Sequence, residues 1–242
     1  MFGSRCRLVV FAIATCSQKT VRGPGFSILV FRDTRWLASS MRWVPGVSAW
    51  TKGQRVGVGW HGGQDGTCLS CRRGDFRNCK NLKIPGISYD GGYQEYMVAP
   101  LEALVSMPDS LSDVEAAPLL CAGITTYDAL RHSGALPGDL VAVQGIGGLG
   151  HLGIDGLGPN GKLMVIAVAF DAIEVTPVQL ITGSRTIQGW AAGTPTDSED
   201  TLRFAELSGV RPMIETYPLE KAAEAYARML SGHAQFRVVL TM

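Results

Sequence analysis

The 242 residues are 46% apolar and only 18% charged, with 30 glycines, the composition of a turn-rich, enzyme-like globular protein and not of a disordered or fibrous chain. The formal net charge is +1 and bases alternate with acids beyond the N-terminal segment, so the chain carries no electrostatic footprint for nucleic acid or an anionic membrane. No stretch approaches the roughly 20 apolar residues that a membrane span requires.

Positions 1–32 hold Arg5, Arg7, Lys19, Arg22 and Arg32 and no acid, around an apolar run from Leu8 to Ala14 that ends in small residues. That shape fits a weak signal or transit peptide, or an extension with no fold of its own, and residues 1–43 are left unassigned. From Val44 the texture changes to short apolar runs punctuated by glycine. Gln54–Trp60 and Tyr93–Ala99 read as strands on either side of a glycine- and cysteine-rich loop, a β-rich, barrel-like region. Ser112 to Arg131 reads as a helix, with Asp113 and Glu115 in its first turn and Ser112 placed to cap it.

After the turn Pro137-Gly138-Asp139, Leu140–Gln144 reads as a buried strand that runs directly into Gly145-Ile146-Gly147-Gly148-Leu149-Gly150. His151–Asp155 supplies only about two helical turns before glycines break the pattern. Leu163–Phe170 is a continuous apolar run, as expected of a strand covered on both faces. Asp197–Leu207 and Leu219–Leu230 read as amphipathic helices, and Phe236–Leu240 as a closing strand.

Three of the 6 cysteines cluster: Cys68, Cys71 and Cys79 follow Asp65 at spacings of three, three and eight residues. Short Cys-x-x-Cys steps let a tight turn present successive thiolates to one tetrahedral ion, and the longer step closes the cage. A redox pair is the alternative, although it leaves Cys79 and the regular spacing unexplained. In a chain of this length such clustering favours metal binding over a disulfide framework, and hence a reducing compartment. Gly145, Gly147 and Gly150 form a Gly-x-Gly-x-x-Gly pattern between a strand and a helix start, where backbone N–H groups and the helix dipole face a pyrophosphate. Asp171 ends the next apolar run, where an acid for the ribose hydroxyls would stand. The intervening helix is too short to cross a sheet face, so Asp171 is not assigned that role.

These motifs together carry a family resemblance. Gly-Gln-Arg-Val-Gly-Val-Gly-Trp-His-Gly-Gly (53–63), followed by Asp-Gly-Thr-Cys-Leu-Ser-Cys-Arg-Arg-Gly-Asp-Phe-Arg-Asn-Cys (65–79), resembles the structural-zinc lobe of the zinc-dependent medium-chain alcohol dehydrogenases. Val-Ala-Val-Gln-Gly-Ile-Gly-Gly-Leu-Gly-His-Leu-Gly (141–153) resembles their dinucleotide loop. The resemblance runs from Val44 to Met242 with one large gap after Gly153, since Gly156–Ala169 is similar to a later family segment. It implies an α/β fold: a β-rich GroES-like lobe over 44–120, a shortened parallel Rossmann-type sheet over 121–205, and a C-terminal helix and strand over 206–242 returning to the first lobe.

The resemblance also implies roles. Structural zinc would be held by Asp65, Cys68, Cys71 and Cys79, with Asp65 where the family usually has a fourth cysteine. Cys121 matches a cysteine ligand of the catalytic zinc, although a cysteine among leucines and alanines is by composition more often a core residue. Thr125 matches a threonine near the nicotinamide, and Gly145, Gly147, Gly148 and Gly150 match the pyrophosphate loop. Arg237 matches a phosphate-contacting arginine, and reads equally well as a solvated charge near a terminus. The family's other catalytic-zinc ligands come from Cys-His and Gly-His-Glu motifs. Here His61, His132, His151 and His233 are never followed by Glu, and Cys16 is followed by Ser-Gln-Lys. The expected catalytic zinc site is therefore incomplete.

The implied activity is hydride transfer between an alcohol or aldehyde and NAD or NADP, with zinc as Lewis acid. The alternative is a catalytically inactive zinc-binding remnant. Expected partners are a small alcohol or aldehyde, no nucleic acid and no membrane, with allowance for a homo-oligomer. The expected location is cytoplasmic, with the mitochondrion as the alternative that the basic N-terminus raises.

Overall fold

The computed structural model describes residues 8–11, 36–38, 50–51, 53–93, 97–136, 139, 141–144, 157–166 and 174–241. In chain order these form strands β1 (Leu8–Phe11), β2 (Trp36–Ala38) and β3 (Val56–Val58), helix α1 (Leu69–Arg72), strand β4 (Leu104–Ser106), and helices α2 (Asp113–Pro118) and α3 (Ile124–Arg131). Strands β5 (Val141–Gln144) and β6 (Lys162–Val165), helix α4 (Pro177–Ile181), strand β7 (Thr186–Gly189), helix α5 (Pro195–Ser208), strand β8 (Ile214–Pro218), helix α6 (Ala222–Leu230) and strand β9 (Arg237–Thr241) follow. Among the described residues no helix is long and apolar enough to cross a membrane.

The chain divides into two compact units. One comprises residues 1–16 and 125–191, and the other residues 17–124 and 192–242. The first is built on a four-stranded parallel sheet in the order β5-β1-β6-β7. Fully buried Ala129 of α3 meets Met164 of β6, with Ala135, Val141, Ile166 and Trp190 packed around them. Arg185 ties the edge together: its Nε donates to the Leu157 carbonyl at 3.0 Å and its Nη1 to the Gln179 carbonyl at 2.8 Å. Pro177 stands in the first turn of α4, where a missing N–H costs nothing, behind a Thr176–Gln179 capping box.

The second unit holds the antiparallel sheet β2-β3-β4 and the parallel pair β8-β9, in which Ile214 stands opposite Arg237 and Pro218 opposite Thr241. Parallel strands need a crossover, and α6 provides it between β8 and β9. Val105, Met107, Leu111, Ala116, Leu119, Leu120, Leu202 and Ala205 form one core cluster, which α2 and α5 cover. Val56, Val58, Ala103 and Leu104 form another. Gly59 follows β3 where a Cβ would lie 2.8 Å from the Leu120 carbonyl oxygen, so only glycine allows the strand to approach this closely.

Several expectations change in detail. The helix read over Ser112–Arg131 begins as expected, with the Ser112 N–H donating to Glu115 Oε2 at 3.0 Å. It is not uniform: Pro118 brings no N–H to the ladder, and Leu119–Gly123 widen into a π turn before α3. The strand read over Leu163–Phe170 is Lys162–Val165, and residues 167–173, with Asp171, lie outside the described residues. Residues 97–99 form no strand. The helix read from Asp197 starts at Pro195, because Thr194 caps it with its hydroxyl accepting the Asp197 N–H at 3.3 Å. β8 had no counterpart among the expected strands. The apolar run in the unassigned residues 1–43 contributes β1, a strand inside the parallel sheet.

Candidate metal centre and active-site segments

Asp65, Cys68, Cys71 and Cys79 come together. One ligand atom from each lies within 4.8 Å of the others, and the Cys68 and Cys79 sulfurs are 4.0 Å apart. A tetrahedral site with Zn–S bonds of about 2.3 Å separates its ligand atoms by roughly 3.8 Å, so the four donors fit one zinc-sized ion. None of the three thiols is in a disulfide.

Local backbone geometry accounts for the convergence. Asp65 Oδ1 accepts the N–H groups of Thr67 at 2.8 Å and Cys68 at 2.9 Å, an Asx turn that bends the chain back at Gly66. The short helix α1 then carries Cys68 at its N-terminal boundary and Cys71 one turn on. A 3-10 turn at Phe76–Asn78 returns the chain to Cys79, whose sulfur accepts the Asp65 N–H at 3.4 Å. Asn81 Nδ2 donates to Asp65 Oδ2 at 2.6 Å.

The electrostatics suit a cation. The N–H groups of Cys68 and Thr67, then the Asn81 amide, hold the Asp65 carboxyl well below the usual carboxylate range. The N–H groups of Cys71 and Lys80 lower the Cys68 thiol. The Cys71 thiol is pushed up to about 12, first by its burial and then by the neighbouring thiols of Cys79 and Cys68. A cation replaces the protons that hold such crowded sulfurs neutral, so metal uptake releases protons. Hydrogen bonds from Thr67, Cys68 and Asn81 orient the Asp65 carboxylate, and the Cys71 thiol donates to the same group.

The remaining expected residues are placed differently. Cys121 lies half-buried in the π turn between α2 and α3, in the second unit, and is not part of the four-donor cluster. Among the described residues no other group of three or more metal-ligating side chains forms. Thr125 stands in the first turn of α3, and Arg237 is half-buried at the start of β9. Gly145, Gly147, Gly148 and Gly150 lie outside the described residues, directly after β5.

Two polar groupings escaped sequence reasoning. His61 is only 3% exposed, and its Nε2 lies 2.6 Å from Gln64 Oε1. Burial lowers its pKa against the opposing pull of Gln64. In the first unit Asp128, 1% exposed, accepts the Trp190 Nε1–H at 2.9 Å and lies 3.1 Å from His132 Nδ1. The His132 ring stacks on Trp190 with centroids 4.4 Å apart. The i,i+4 spacing of Asp128 and His132 was readable, but Trp190 is remote in sequence.

The second unit thus carries four converging donors, and the first a parallel sheet whose strand β5 ends at Gln144, immediately before Gly145 in the sequence. Residues 41–109 match the alcohol dehydrogenase GroES-like domain. Over 93% of its length the chain is 35% identical to alcohol dehydrogenase patD of Penicillium expansum, covering 85% of that protein. That alignment runs over 292 positions, more than the 242 residues here, so it crosses stretches that the relative has and this chain lacks. The fold matches an alcohol dehydrogenase of Aeropyrum pernix with a TM-score of 0.71 at 21% identity, covering 82% of this chain and 79% of that one. It also matches a cobalt- and zinc-bound thermostable alcohol dehydrogenase of Pyrobaculum aerophilum with a TM-score of 0.74 at 16% identity, over 86% and 81% of the two chains. The chain belongs to the zinc-dependent medium-chain alcohol dehydrogenase family and is an alcohol dehydrogenase-like oxidoreductase.

Proposed function

We propose that the protein transfers hydride between a small alcohol or aldehyde and NAD or NADP, and that Asp65, Cys68, Cys71 and Cys79 hold a structural zinc. The observation that carries the metal assignment is the convergence of one carboxylate and three thiols within 4.8 Å on the lobe that matches the family domain. Zinc there supplies a cross-link for a loop with few buried residues, and no chemical step. The pyrophosphate is assigned to the Gly145, Gly147, Gly148 and Gly150 backbone, whose supporting strand β5 ends at Gln144. Thr125 and Arg237 are assigned to the nicotinamide and phosphate ends of the cofactor. Cys121 is assigned to the reacting end, on a π turn of the kind that often marks functional positions.

Titration of NADH and NADPH into the purified protein, followed by nicotinamide fluorescence, tests this reading alongside aldehyde-dependent oxidation of the bound cofactor. Saturable binding of one of the two with aldehyde turnover is expected. Absence of binding to either would contradict it and leave a zinc-binding remnant.

A further inference from the structure

The parallel sheet carries an irregularity of order. β5, β6 and β7 follow one another along the chain, and β6 pairs with β7, but β5 and β6 do not pair. Both pair instead with β1, in parallel and in register: Leu8 opposite Val141 and Lys162, and Phe11 opposite Gln144 and Val165. Neighbouring strands lie about 4.8 Å apart, so β5 and β6 are separated by roughly 10 Å, one full strand position. In the doubly wound order 3-2-1-4-5-6 the glycine-loop strand is followed across the sheet by the fourth, fifth and sixth strands. With β5 as the glycine-loop strand and β6 and β7 as the last two, the vacant position is the fourth.

We infer that Leu8–Phe11 serves as the substitute for that internal strand, so that the nucleotide unit of this chain is completed by its own N-terminal segment. Three features agree. β1 runs parallel to both neighbours, as an internal strand of such a sheet must. Its sequence, Leu-Val-Val-Phe, is continuously apolar and rich in β-branched residues, the pattern of a strand covered on both faces. Residues 1–16 also belong to the same compact unit as residues 125–191. Without β1, the facing edges of β5 and β6 would each lose a ladder of backbone hydrogen bonds in a sheet interior, where unpaired N–H and C=O groups are costly. Because β5 leads directly to Gly145, cofactor binding then depends on β1, a consequence that rests on the proposed function.

Hydrogen–deuterium exchange on the full chain without cofactor tests the strand assignment separately from the cofactor reading. In the unaltered protein the amides of residues 8–11 should exchange at least about tenfold more slowly than in a free peptide of the same sequence. Val9→Pro and Val10→Pro each remove one ladder N–H, and alternate residues of a strand bond to opposite neighbours. Between them they should accelerate exchange in 141–144 and 162–165 by about tenfold or more, with the exchange of residues 65–82 unchanged. Peptide-like exchange of residues 8–11 in the unaltered protein would overturn the inference even if neither variant folds. Unaltered exchange of both neighbouring strands in both variants would also overturn it.

Discussion

Asn81 donates its side-chain amide to Asp65 Oδ2 at 2.6 Å, from two positions beyond the last cysteine of the metal loop. It fixes the one donor of the cluster that is not a sulfur. Loss of an outer contact of this kind typically weakens metal binding on the order of 10–100-fold, and Asn81→Ala is expected to fall in that range. Asp65→Ala should weaken zinc more than Asn81→Ala does, and Asp65→Cys should tighten it beyond the unaltered protein, since a fourth thiolate suits zinc better than a carboxylate. Competition with a chromophoric chelator orders the four proteins.

Metal removal should loosen the loop selectively. Arg72 and Arg73 are exposed on and just after α1, a helix too short to persist without its anchors. Chelation is expected to accelerate tryptic cleavage at these two arginines by about an order of magnitude, with zinc readdition restoring resistance. Equal cleavage rates with and without chelator would remove the ion from its structural role.

Asp128 joins helix α3 to the end of β7 through Trp190. Asp128→Ala removes the acceptor of the indole N–H while Trp190 stays packed against Ala129 and Met164, and should cost about 1–3 kcal/mol in urea unfolding. Asp128→Asn retains an acceptor and should cost less. Tryptophan fluorescence is expected to change in Asp128→Ala, because the Trp190 indole N–H loses this acceptor.

The Glu215–Arg228 pair sets a pH dependence. Arg228 donates Nε to Glu215 Oε2 at 2.8 Å and Nη2 to Oε1 at 2.9 Å, and the Gln235 N–H adds a further bond. Arg228 first, then Gln235, lowers the Glu215 pKa from 4.5 to about 2. A depressed folded-state pKa gives stability that is present above 4.5 and lost as pH falls towards about 2. Glu215→Gln should therefore lower Tm by a few degrees at pH 7. The difference from the unaltered protein should shrink between pH 4.5 and 2.

The loop of Asp65, Cys68, Cys71 and Cys79 was the most legible part of the sequence, because its four donors are brought together by turns of local origin. The Asx turn at Asp65, the one-turn helix between Cys68 and Cys71 and the return at Phe76 all act within a few residues. Legibility falls where partners are distant. β8 ends in Pro218 and its short Ile-Glu-Thr-Tyr pattern has meaning only against Arg237–Leu240. Leu8–Phe11 looks like an apolar leader until its pairing with Val141–Gln144 and Lys162–Val165 is known. Ser112–Arg131 read as one helix, because nothing local in that pattern announces the widened turn beyond Pro118 in which Cys121 sits. Asn81 carried no signal of its own, since an asparagine after a cysteine loop is ordinary turn composition.

The most direct measurement is the zinc content of the purified protein and of Cys71→Ser and Cys79→Ser, by elemental analysis after gel filtration. Roughly one zinc per chain in the unaltered protein, lost from both variants, is the expected result for a structural site held by these donors. A zinc-free protein, or zinc retained unchanged in both variants, would contradict the assignment of Asp65, Cys68, Cys71 and Cys79 as its metal centre.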